Sequence, residues 1–389
     1  GTCGVGYNSL RFDDEVTRFT LYRNFYDPYA REWQQGNSRW DIIDLVRMTY
    51  ALRPAGITWP QHEDGQPSFK LEDLVAANGI WHESAHDALS DVRVTIALAR
   101  LLRAQQPRLF DWLLQLRDKR KAAAQLDLIT RNPVLHTTRM YPAKTGCTSL
   151  VMPLIVEPGN NNSVLVYDLR HAPEMFLPLN ADDLARLLFT RNDDLPEGMQ
   201  RLPVKSIKIN KCPALAPRNT LDNEAAERIA LDLDACYRHW QTLCATPDFF
   251  QRVAAAYISR TFESSGDVDA ALYDGFLNNA DAASLGQIRT ASPKQLGEMQ
   301  FDFHDQRLPE LLFRYRARNW PETLKSAETE RWESMRLQRL TQTDGGGNIT
   351  FDEFSTQIAL LRETGKDDQQ VERILDAVEN WGHDLLVSS

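Results

Sequence analysis

The sequence contains no apolar run that approaches the length of a membrane span. It is also poor in cysteine, with five residues that are scattered, odd in number and without a CxxC pair. This usage argues against a disulfide framework or a cysteine-based zinc site, and it is typical of reduced thiols in a cytoplasmic protein. The first residues show no basic stretch followed by an apolar core, so the sequence shows no signal peptide.

Basic residues are fewer than acidic ones: the sequence has 44 Lys and Arg residues and 54 Asp and Glu residues, which gives a formal net charge of −10. This balance argues against non-specific coating of nucleic acid, so any such site must concentrate its cations in a groove. The 389 residues suffice for two or three domains. A composition of 42% hydrophobic and 25% charged residues is ordinary for a globular protein.

A predicted helix begins with an unusual set of polar residues. Residues 92–102 repeat apolar side chains at helical spacing without Gly or Pro. Ser84 is a good N-cap, so His86 falls in the first turn and Asp91 about one and a half turns in. The two side chains can reach one centre only if that centre lies off the helix N-terminus. A capping or surface role is the ordinary alternative for such residues.

Two stretches resemble metal-binding motifs, but neither predicts a metal site. His82 to His86 reads H-E-x-x-H, but zinc peptidases need both histidines one turn apart inside a helix, and Ser84 caps the helix only after His82. Residues 342–353 resemble an EF-hand loop with Glu353 at the twelfth position, yet two oxygen-donor positions are lost to Gln342 and Gly346. A Gly-rich loop between helices is the better interpretation of the second stretch.

Two motifs resemble those of the DEDD 3′→5′ exonucleases of the His-containing subclass. Asn8-x-x-x-Phe12-Asp13 is similar to their second motif, with one extra residue, and His86-x-Ala88-x-x-Asp91 is similar to their third. Further stretches resemble bacterial exonuclease I, a family that degrades single-stranded DNA from the 3′ end; they are 6–15, 52–54, 67–69, 77–80, 106–111, 209–213 and 315–319. The resemblance runs from Gly1 to about Trp332.

The resemblance implies hydrolysis with two divalent metal ions, Mg²⁺ with Mn²⁺ as a substitute. It makes Asp13 and Asp91 the metal ligands and His86 the general base. The family's first motif, an Asp-x-Glu on the first strand, supplies two further carboxylates and is not found ahead of Asn8. We therefore expect roughly 90–100 family residues to precede Gly1. The intact protein would be an exonuclease of DNA repair that releases 5′-mononucleotides, and this chain alone would have little activity.

The alternative from another functional class is a nuclease-dead protein that binds single-stranded DNA. Residues 17–33 interleave basic and aromatic side chains, as a strand-binding surface requires, although such rings are equally often core. The resemblance assigns strand contacts to five residues: Arg18, Tyr29, Trp33, Arg47 and Lys70. At the last of these the family usually has Arg, and Lys keeps the charge but loses the planar fork.

The family also binds the acidic C-terminal tail of single-stranded DNA-binding protein, and Arg53 and Trp112 fit that surface. Asp222, Asn132 and Cys244 stand where basic residues are expected, which weakens this partner prediction. We expect a monomer without membrane association.

The expected fold class is multidomain α+β. The resemblance places a partial ribonuclease H-like α/β exonuclease domain at 1–106, an SH3-like β-barrel domain with flanking helices at 107–260, and an all-α domain at 261–389. Strands are predicted at 134–141, 149–156, 163–169, 175–179 and 204–211. Helices are predicted at 41–52 (opened by 37–41), 182–190, 223–244, 247–259, 295–318, 321–340 and 367–386.

Overall fold

The computed structural model describes residues 1–80, 88–259, 264–364 and 368–387. The chain forms two compact units, the first from 1–16 and 29–262 and the second from 17–28 and 263–389. None of the helices in the described ranges is long and apolar enough to cross a membrane.

The first unit begins with a short parallel pair of strands. Strand β1 (Cys3–Gly6) pairs with β2 (Ser38–Asp41), with Gly6 opposite Asp41. The helices of this part of the chain are α1 (Asp13–Arg23), which passes into the second unit at residue 17, α2 (Ala30–Trp33), α3 (Ile43–Leu52), α4 (Leu71–Ala77), α5 (Ala88–Gln105), α6 (Pro107–Gln115) and α7 (Lys119–Ala124). The prediction that 37–41 opens a helix was wrong, because 38–41 is extended and bonded to β1.

A five-stranded antiparallel sheet follows, in the order β6-β5-β4-β3-β7. Its strands are β3 (Val134–Thr137), β4 (Thr148–Val156), β5 (Ser163–Asp168), β6 (Val204–Lys208) and β7 (Ala214–Pro217). The helices of this region are α8 (Ala181–Phe189), α9 (Asn223–Arg228), α10 (Leu233–Cys244) and α11 (Asp248–Ile258).

Two details of this sheet differ from the sequence prediction. The strand predicted at 175–179 is a turn, in which the backbone amides of Phe176 and Leu177 both donate to the carbonyl of Pro173. Phe176 is fully buried there, so its apolar character reflects packing rather than a strand. Strand β7 was not predicted, because it is four residues long and ends in Pro217, which is unusual in a strand.

One hydrophobic core runs through the first unit. It joins Leu45 of α3 and Leu98 of α5 to Leu150 of β4, Leu165 of β5 and Phe249 of α11. Full burial of a side chain of this size stabilises a fold by about 1.5–3 kcal/mol. The helices of 43–105 and the antiparallel sheet are therefore held together by shared packing rather than by a linker.

The second unit is helical. Its elements after residue 263 are α12 (Asn279–Thr290), α13 (Pro293–Glu298), α14 (Arg307–Asn319), α15 (Ser326–Thr341), α16 (Phe351–Thr364) and α17 (Gln369–Val387). The single helix predicted at 295–318 is divided into α13 and α14. The buried carboxylate of Asp281 causes the division, because it accepts the backbone N–H groups of His304 and Asp305 and fixes the intervening chain.

The loop that resembles an EF-hand connects α15 to α16. Glu353, the residue at the twelfth position, accepts a hydrogen bond from the backbone N–H of Thr350, and the Thr350 hydroxyl accepts one from the N–H of Glu353. The two residues form a reciprocal cap on α16. The Arg339 guanidinium donates to the carbonyl of Gly346 and fixes the middle of the loop. The loop therefore has a structural role in these contacts.

Buried ion pairs fix α14 within the second unit. Asp269 is 7% exposed, and its carboxylate lies 2.9 Å from Arg314 and 3.0 Å from Arg318. Asp267 pairs with Arg314 and with Arg339 of α15, the latter at 2.7 Å. These contacts join α14, α15 and the 3₁₀ turn Val268–Tyr273. Buried charges of this kind are costly once a partner is lost.

We expect Asp269→Ala to destabilise the protein by about 3 kcal/mol, because two arginines lose a buried partner. Denaturant unfolding of the full chain measures this change. Asp302→Ala, which removes an exposed carboxylate from the same unit, should change stability by less than about 0.5 kcal/mol. Equal effects of the two substitutions would contradict a structural role for the network.

Candidate active site

The turn between β1 and α1 is organised by one carboxylate. Asp41, at the end of β2, accepts the backbone N–H of Asn8 at 2.8 Å, of Leu10 at 3.1 Å and of Ile43 at 3.1 Å. Asn8 adopts the left-handed conformation, with φ 58°, which Asn tolerates better than most residues. The turn that leads to Asp13 is therefore fixed by hydrogen bonds to a side chain of the neighbouring strand β2.

Asp41 is only 8% exposed, and burial raises its pKa to about 6 in spite of the three N–H donors. The group is therefore ionised at neutral pH at a cost in stability. An ionised acceptor gives the stronger hydrogen bonds to backbone N–H groups. The ionised Asp41 carboxylate lowers the stability of the fold, but it holds the tight turn between β1 and α1.

Asp14 anchors the first turn of α1. Its carboxylate is fully buried, 2.8 Å from Arg31 of α2 and 2.7 Å from Arg39 of β2. Its backbone N–H donates to the carbonyl of Ser9. Asp14 therefore joins α1, α2 and β2 at one point, and Asp13 lies beside it on the exposed side of the turn.

The predicted metal ligands lie at the starts of two helices. Asp13 is the first residue of α1, and the half-buried Asp91 lies in the first turn of α5, whose Val94, Leu98 and Leu102 face the core. Carboxylates are favourable at helix N-termini. His86, the predicted general base, lies outside the described residues, as does its proposed N-cap.

Carboxylate oxygens are the donor type that a hard divalent cation prefers. However, within 1–80, 88–259, 264–364 and 368–387, no three His, Cys, Asp or Glu side chains are grouped so that they could hold a metal ion. The described residues thus fit such an ion in donor type but supply only part of a ligand set.

Two aromatic side chains lie on α2, next to the anchored turn. Tyr29 is the N-cap residue and Trp33 the last residue of α2, so the two are four positions apart and share one face. Trp33 is 63% exposed and Tyr29 is half-buried. Because Arg31 of the same helix pairs with Asp14, this ring pair is tied directly to the turn that carries Asp13. Exposed rings on a fixed element suit base stacking.

The predicted cationic contacts differ in how available they are. Lys70 is exposed at the N-cap of α4. Arg47 is 12% exposed at its side chain and lies 2.6 Å from Asp44, so a phosphate would compete with that carboxylate. Arg18 belongs to the second unit and is only 5% exposed.

Comparison with protein families covers almost the whole chain. The model described as Exonuclease matches residues 1–99, the Exonuclease I SH3-like domain matches 117–259, and the Exonuclease I C-terminal domain matches 266–385. Exodeoxyribonuclease I of Escherichia coli (strain K12) is 42% identical over 386 residues, covering 99% of this chain and 80% of that protein.

Solved structures agree. A moderately thermophilic Exonuclease I from Methylocaldum szegediense superposes with a TM-score of 0.93 at 46% identity, covering 99% of this chain and 81% of that one. E. coli Exonuclease I in complex with a dA16 oligonucleotide gives 0.92 at 42% identity, covering 98% and 81%. The chain belongs to the exonuclease I family.

The zinc-bound complex of E. coli Exonuclease I with single-stranded DNA is also similar in structure. Its TM-score is 0.91 at 41% identity, and the match covers 99% of this chain and 80% of that one. An SSB/Exonuclease I structure with an inhibitor gives 0.89 at 40%, covering 98% and 80%. Membership of this family confirms the expected fold class. It also confirms the prediction that the protein is an exodeoxyribonuclease, a hydrolase that depends on a divalent metal ion.

The two predicted partner-binding residues of this exonuclease I family member lie together. Arg53 and Trp112 line one cavity of about 520 Å³ with Gln106, Pro107, Arg108, Leu109, Ala216 and Thr220. The Arg53 guanidinium donates to the Thr220 carbonyl at 2.7 Å and lies 3.1 Å from Asp222. The Trp112 indole N–H donates to the carbonyl of Leu215 at 2.8 Å, which fixes its ring against the sheet.

Sequence reasoning missed the residues that position the exonuclease I motif. Asp14 lies within the acidic run 13–15, where the neighbouring Asp13 takes the motif position. Its partners Arg31 and Arg39 lie 17 and 25 residues further along the chain. Asp41 showed no signal except that it is an acidic residue directly before the apolar pair Ile42 and Ile43. The burial of Asp14 between the less buried Asp13 and Glu15 is visible only in the structure, so no pattern in the sequence marks Asp14.

The role of Asp41 can be tested by amide hydrogen exchange. In Asp41→Asn the remaining oxygen can still accept from Asn8 and Ile43, but an NH₂ group faces the N–H of Leu10. We expect exchange at Leu10 to accelerate about tenfold or more. Asp44→Asn, which alters the ion pair with Arg47, should leave Leu10 unchanged. Unaltered protection in Asp41→Asn would contradict the positioning role.

Proposed function

We propose that the intact protein is a 3′→5′ exonuclease that removes 5′-mononucleotides from single-stranded DNA in DNA repair. The observation that carries the proposal is the Asp14 anchor, which joins the Asp13 turn to the ring pair Tyr29 and Trp33 through Arg31. A fixed distance between the rings that stack on bases and the carboxylate at the reacting phosphate is what such an enzyme needs. The names of the similar proteins support the same substrate.

In this proposal each residue has a defined task. Asp13 and Asp91 hold Mg²⁺, or Mn²⁺ in its place, and His86 accepts the proton of the attacking water. Bound divalent ions would supply charge relief at the leaving oxygen and a more acidic water. Tyr29 and Trp33 stack on bases, while Arg18, Arg47 and Lys70 neutralise phosphates. His86 and its role rest on the sequence resemblance alone.

We further propose that these 389 residues have little activity by themselves, because they hold two of the family's four carboxylates. The second candidate, a binding protein without nuclease activity, is favoured by the absence of a grouped metal-ligand set among the described residues. The five cysteines, all in described positions, are free thiols and suit a reducing compartment, which we take to be the cytoplasm. We propose that it works as a monomer.

Release of mononucleotides from a 3′-labelled single strand with Mg²⁺ tests the exonuclease proposal. We would compare this chain with one extended by a family-type segment that carries Asp-x-Glu. Activity is expected in the extended chain alone, and His86→Ala should reduce it at least about 100-fold. Chelation of the metal should abolish it. If both chains bind the strand but neither cleaves it, the binding-protein candidate replaces the exonuclease.

We also propose that the cavity beside Arg53 and Trp112 binds the acidic C-terminal tail of SSB. Its apolar wall suits a terminal side chain, and the Arg53 guanidinium suits a carboxylate. Asp222 opposes this binding, because its carboxylate occupies Arg53 and repels an acidic peptide.

Two substitutions should therefore act in opposite directions on a labelled tail peptide. Arg53→Ala should weaken binding about tenfold, as expected for the loss of a charged hydrogen bond. Asp222→Asn should strengthen binding several-fold, as loss of one repulsive charge near the peptide implies. The amide oxygen can still accept from Ala225 and keep the cap of α9. Fluorescence polarisation measures both, and weaker binding by Asp222→Asn would contradict the proposal.

A further inference from the structure

One cavity of the first unit is not used by the proposed function. Its volume is about 570 Å³, and it lies where β5 ends and β6 begins. The side chains around it come from these strand ends and from the loop between α8 and β6, together with Met140 and His171. A volume of this size suits a small organic ligand. We call it the β6 cavity.

Two cations line the β6 cavity without an acidic partner. The Lys205 ammonium lies 4.9 Å from the ring centroid of Tyr141, and among the described residues it has neither a hydrogen-bond acceptor nor an ion-pair partner. The Nε of Arg201 donates to the carbonyl of Leu188 at 3.0 Å, which fixes the guanidinium, and its terminal amino groups have no partner in the described part of the chain. Both side chains therefore keep N–H donors for a ligand.

The half-buried Lys205 side chain lies in an environment that disfavours its charge. Burial lowers the pKa of its ammonium, the Asp168 carboxylate opposes this shift, and the Arg201 guanidinium adds to it. Two cations that lie near each other in a poorly solvated place repel, and this repulsion lowers stability. A bound anion with several oxygens would accept hydrogen bonds from both side chains and remove the repulsion.

The carboxylate of Asp168 does not already serve as that anion. It is buried and accepts hydrogen bonds from the Ser149 hydroxyl and, at 3.2 Å, from the backbone N–H of Arg170. The Nε2 of His171 lies 3.9 Å from its second oxygen. Other parts of the chain thus satisfy its charge. Among the described residues that line the cavity, two permanent cations outnumber this one carboxylate.

The rest of the β6 cavity suits a flat ring. Met140 and Met199 are 61% and 43% exposed, and both line it. Thioether groups make favourable contacts with aromatic rings. The exposed amides of Asn192 and Gln200 also line the cavity and can donate to and accept from the edge of a base. The cavity therefore offers separate places to a phosphate and to a nucleobase.

We propose that the β6 cavity binds a free mononucleotide, with its phosphate at Lys205 and Arg201 and its base at Met140 and Met199. The choice of a nucleotide among small phosphate esters rests on the proposed function, because the exonuclease would release 5′-mononucleotides. The phosphate site itself rests only on the two cations and their lack of an acidic partner among the described residues.

The β6 cavity lies at the end of β6 that is remote from the Asp13 turn. The strand is five residues long, which corresponds to roughly 16 Å. Beyond its other end, Lys211 lies 3.5 Å from Glu15 of α1. A nucleotide in the cavity would therefore leave the turn that carries Asp13 accessible.

The test is equilibrium dialysis of the full chain against radiolabelled thymidine 5′-monophosphate, with EDTA present so that no metal ion holds the nucleotide at Asp13 and Asp91. We expect saturable binding. Arg201→Ala and Lys205→Met should each weaken it about tenfold or more, as expected for the loss of a charged hydrogen bond. Arg201→Lys keeps the charge and should bind within about threefold of the unaltered chain.

Three controls separate the β6 cavity from general effects of charge and folding. Lys208→Met removes an exposed cation of the same strand that does not line the cavity, so affinity should not change. Arg201→Ala is at an exposed position and should leave the melting temperature nearly unchanged. Thymidine, which has no phosphate, and inorganic phosphate, which has no base, should each compete at least about tenfold less well than the nucleotide.

Nucleotide binding that Arg201→Ala and Lys205→Met reduce, and that Lys208→Met does not, would establish the site. Absence of binding, or equal binding by all variants, would overturn it. Equal competition by inorganic phosphate or by an oligothymidylate would overturn the choice of a mononucleotide.

Failure of the β6 cavity and failure of the proposed function are distinguishable. If the extended chain releases mononucleotides but the cavity variants bind nucleotide as the unaltered chain does, the cavity is wrong while the proposed function stands. If the extended chain does not cleave, the proposed function fails, whereas loss of nucleotide binding in Arg201→Ala would still support the cavity.

Discussion

The buried carboxylate of Asp14 is the interaction on which the candidate site depends. It satisfies two guanidinium groups from separate elements, α2 and β2, and it does so at the first turn of α1. Removing the carboxylate would leave two arginines without their shared partner in a poorly solvated position, which is far more costly than loss of a surface ion pair. The first turn of α1, and with it the position of Asp13, is fixed by this contact.

The first unit divides its polar residues into two groups with different tasks. Asp14, Asp41 and Arg39 are buried or largely buried and bind other parts of the chain. Asp13, Trp33 and Lys70 are exposed. A site of this construction keeps its geometry without ligand, because the groups that fix it are not the groups that would meet the strand.

The sequence predicted those site residues that belong to a short motif. Asp13 and Asp91 could be named because the motif spacing is local, and the core helices follow from apolar periodicity. Asp14 and Asp41 could not be assigned, because their roles arise only when β1 and β2 pair side by side. The turn at Phe176 and the break before α14 were missed for a similar reason. Burial of the Phe176 ring decides the first, and the Asp281 carboxylate, which accepts the N–H of His304, decides the second.

The division of the chain within α1 has a consequence for how such proteins can evolve. Residues 17–28 belong to the second unit, where Tyr22 and Phe25 are 7% and 1% exposed and Phe25 packs on Tyr315. The C-terminal third is therefore not a module that recombination can append or delete in one event. A chain that lost it would expose this apolar segment, so the two units must be inherited together.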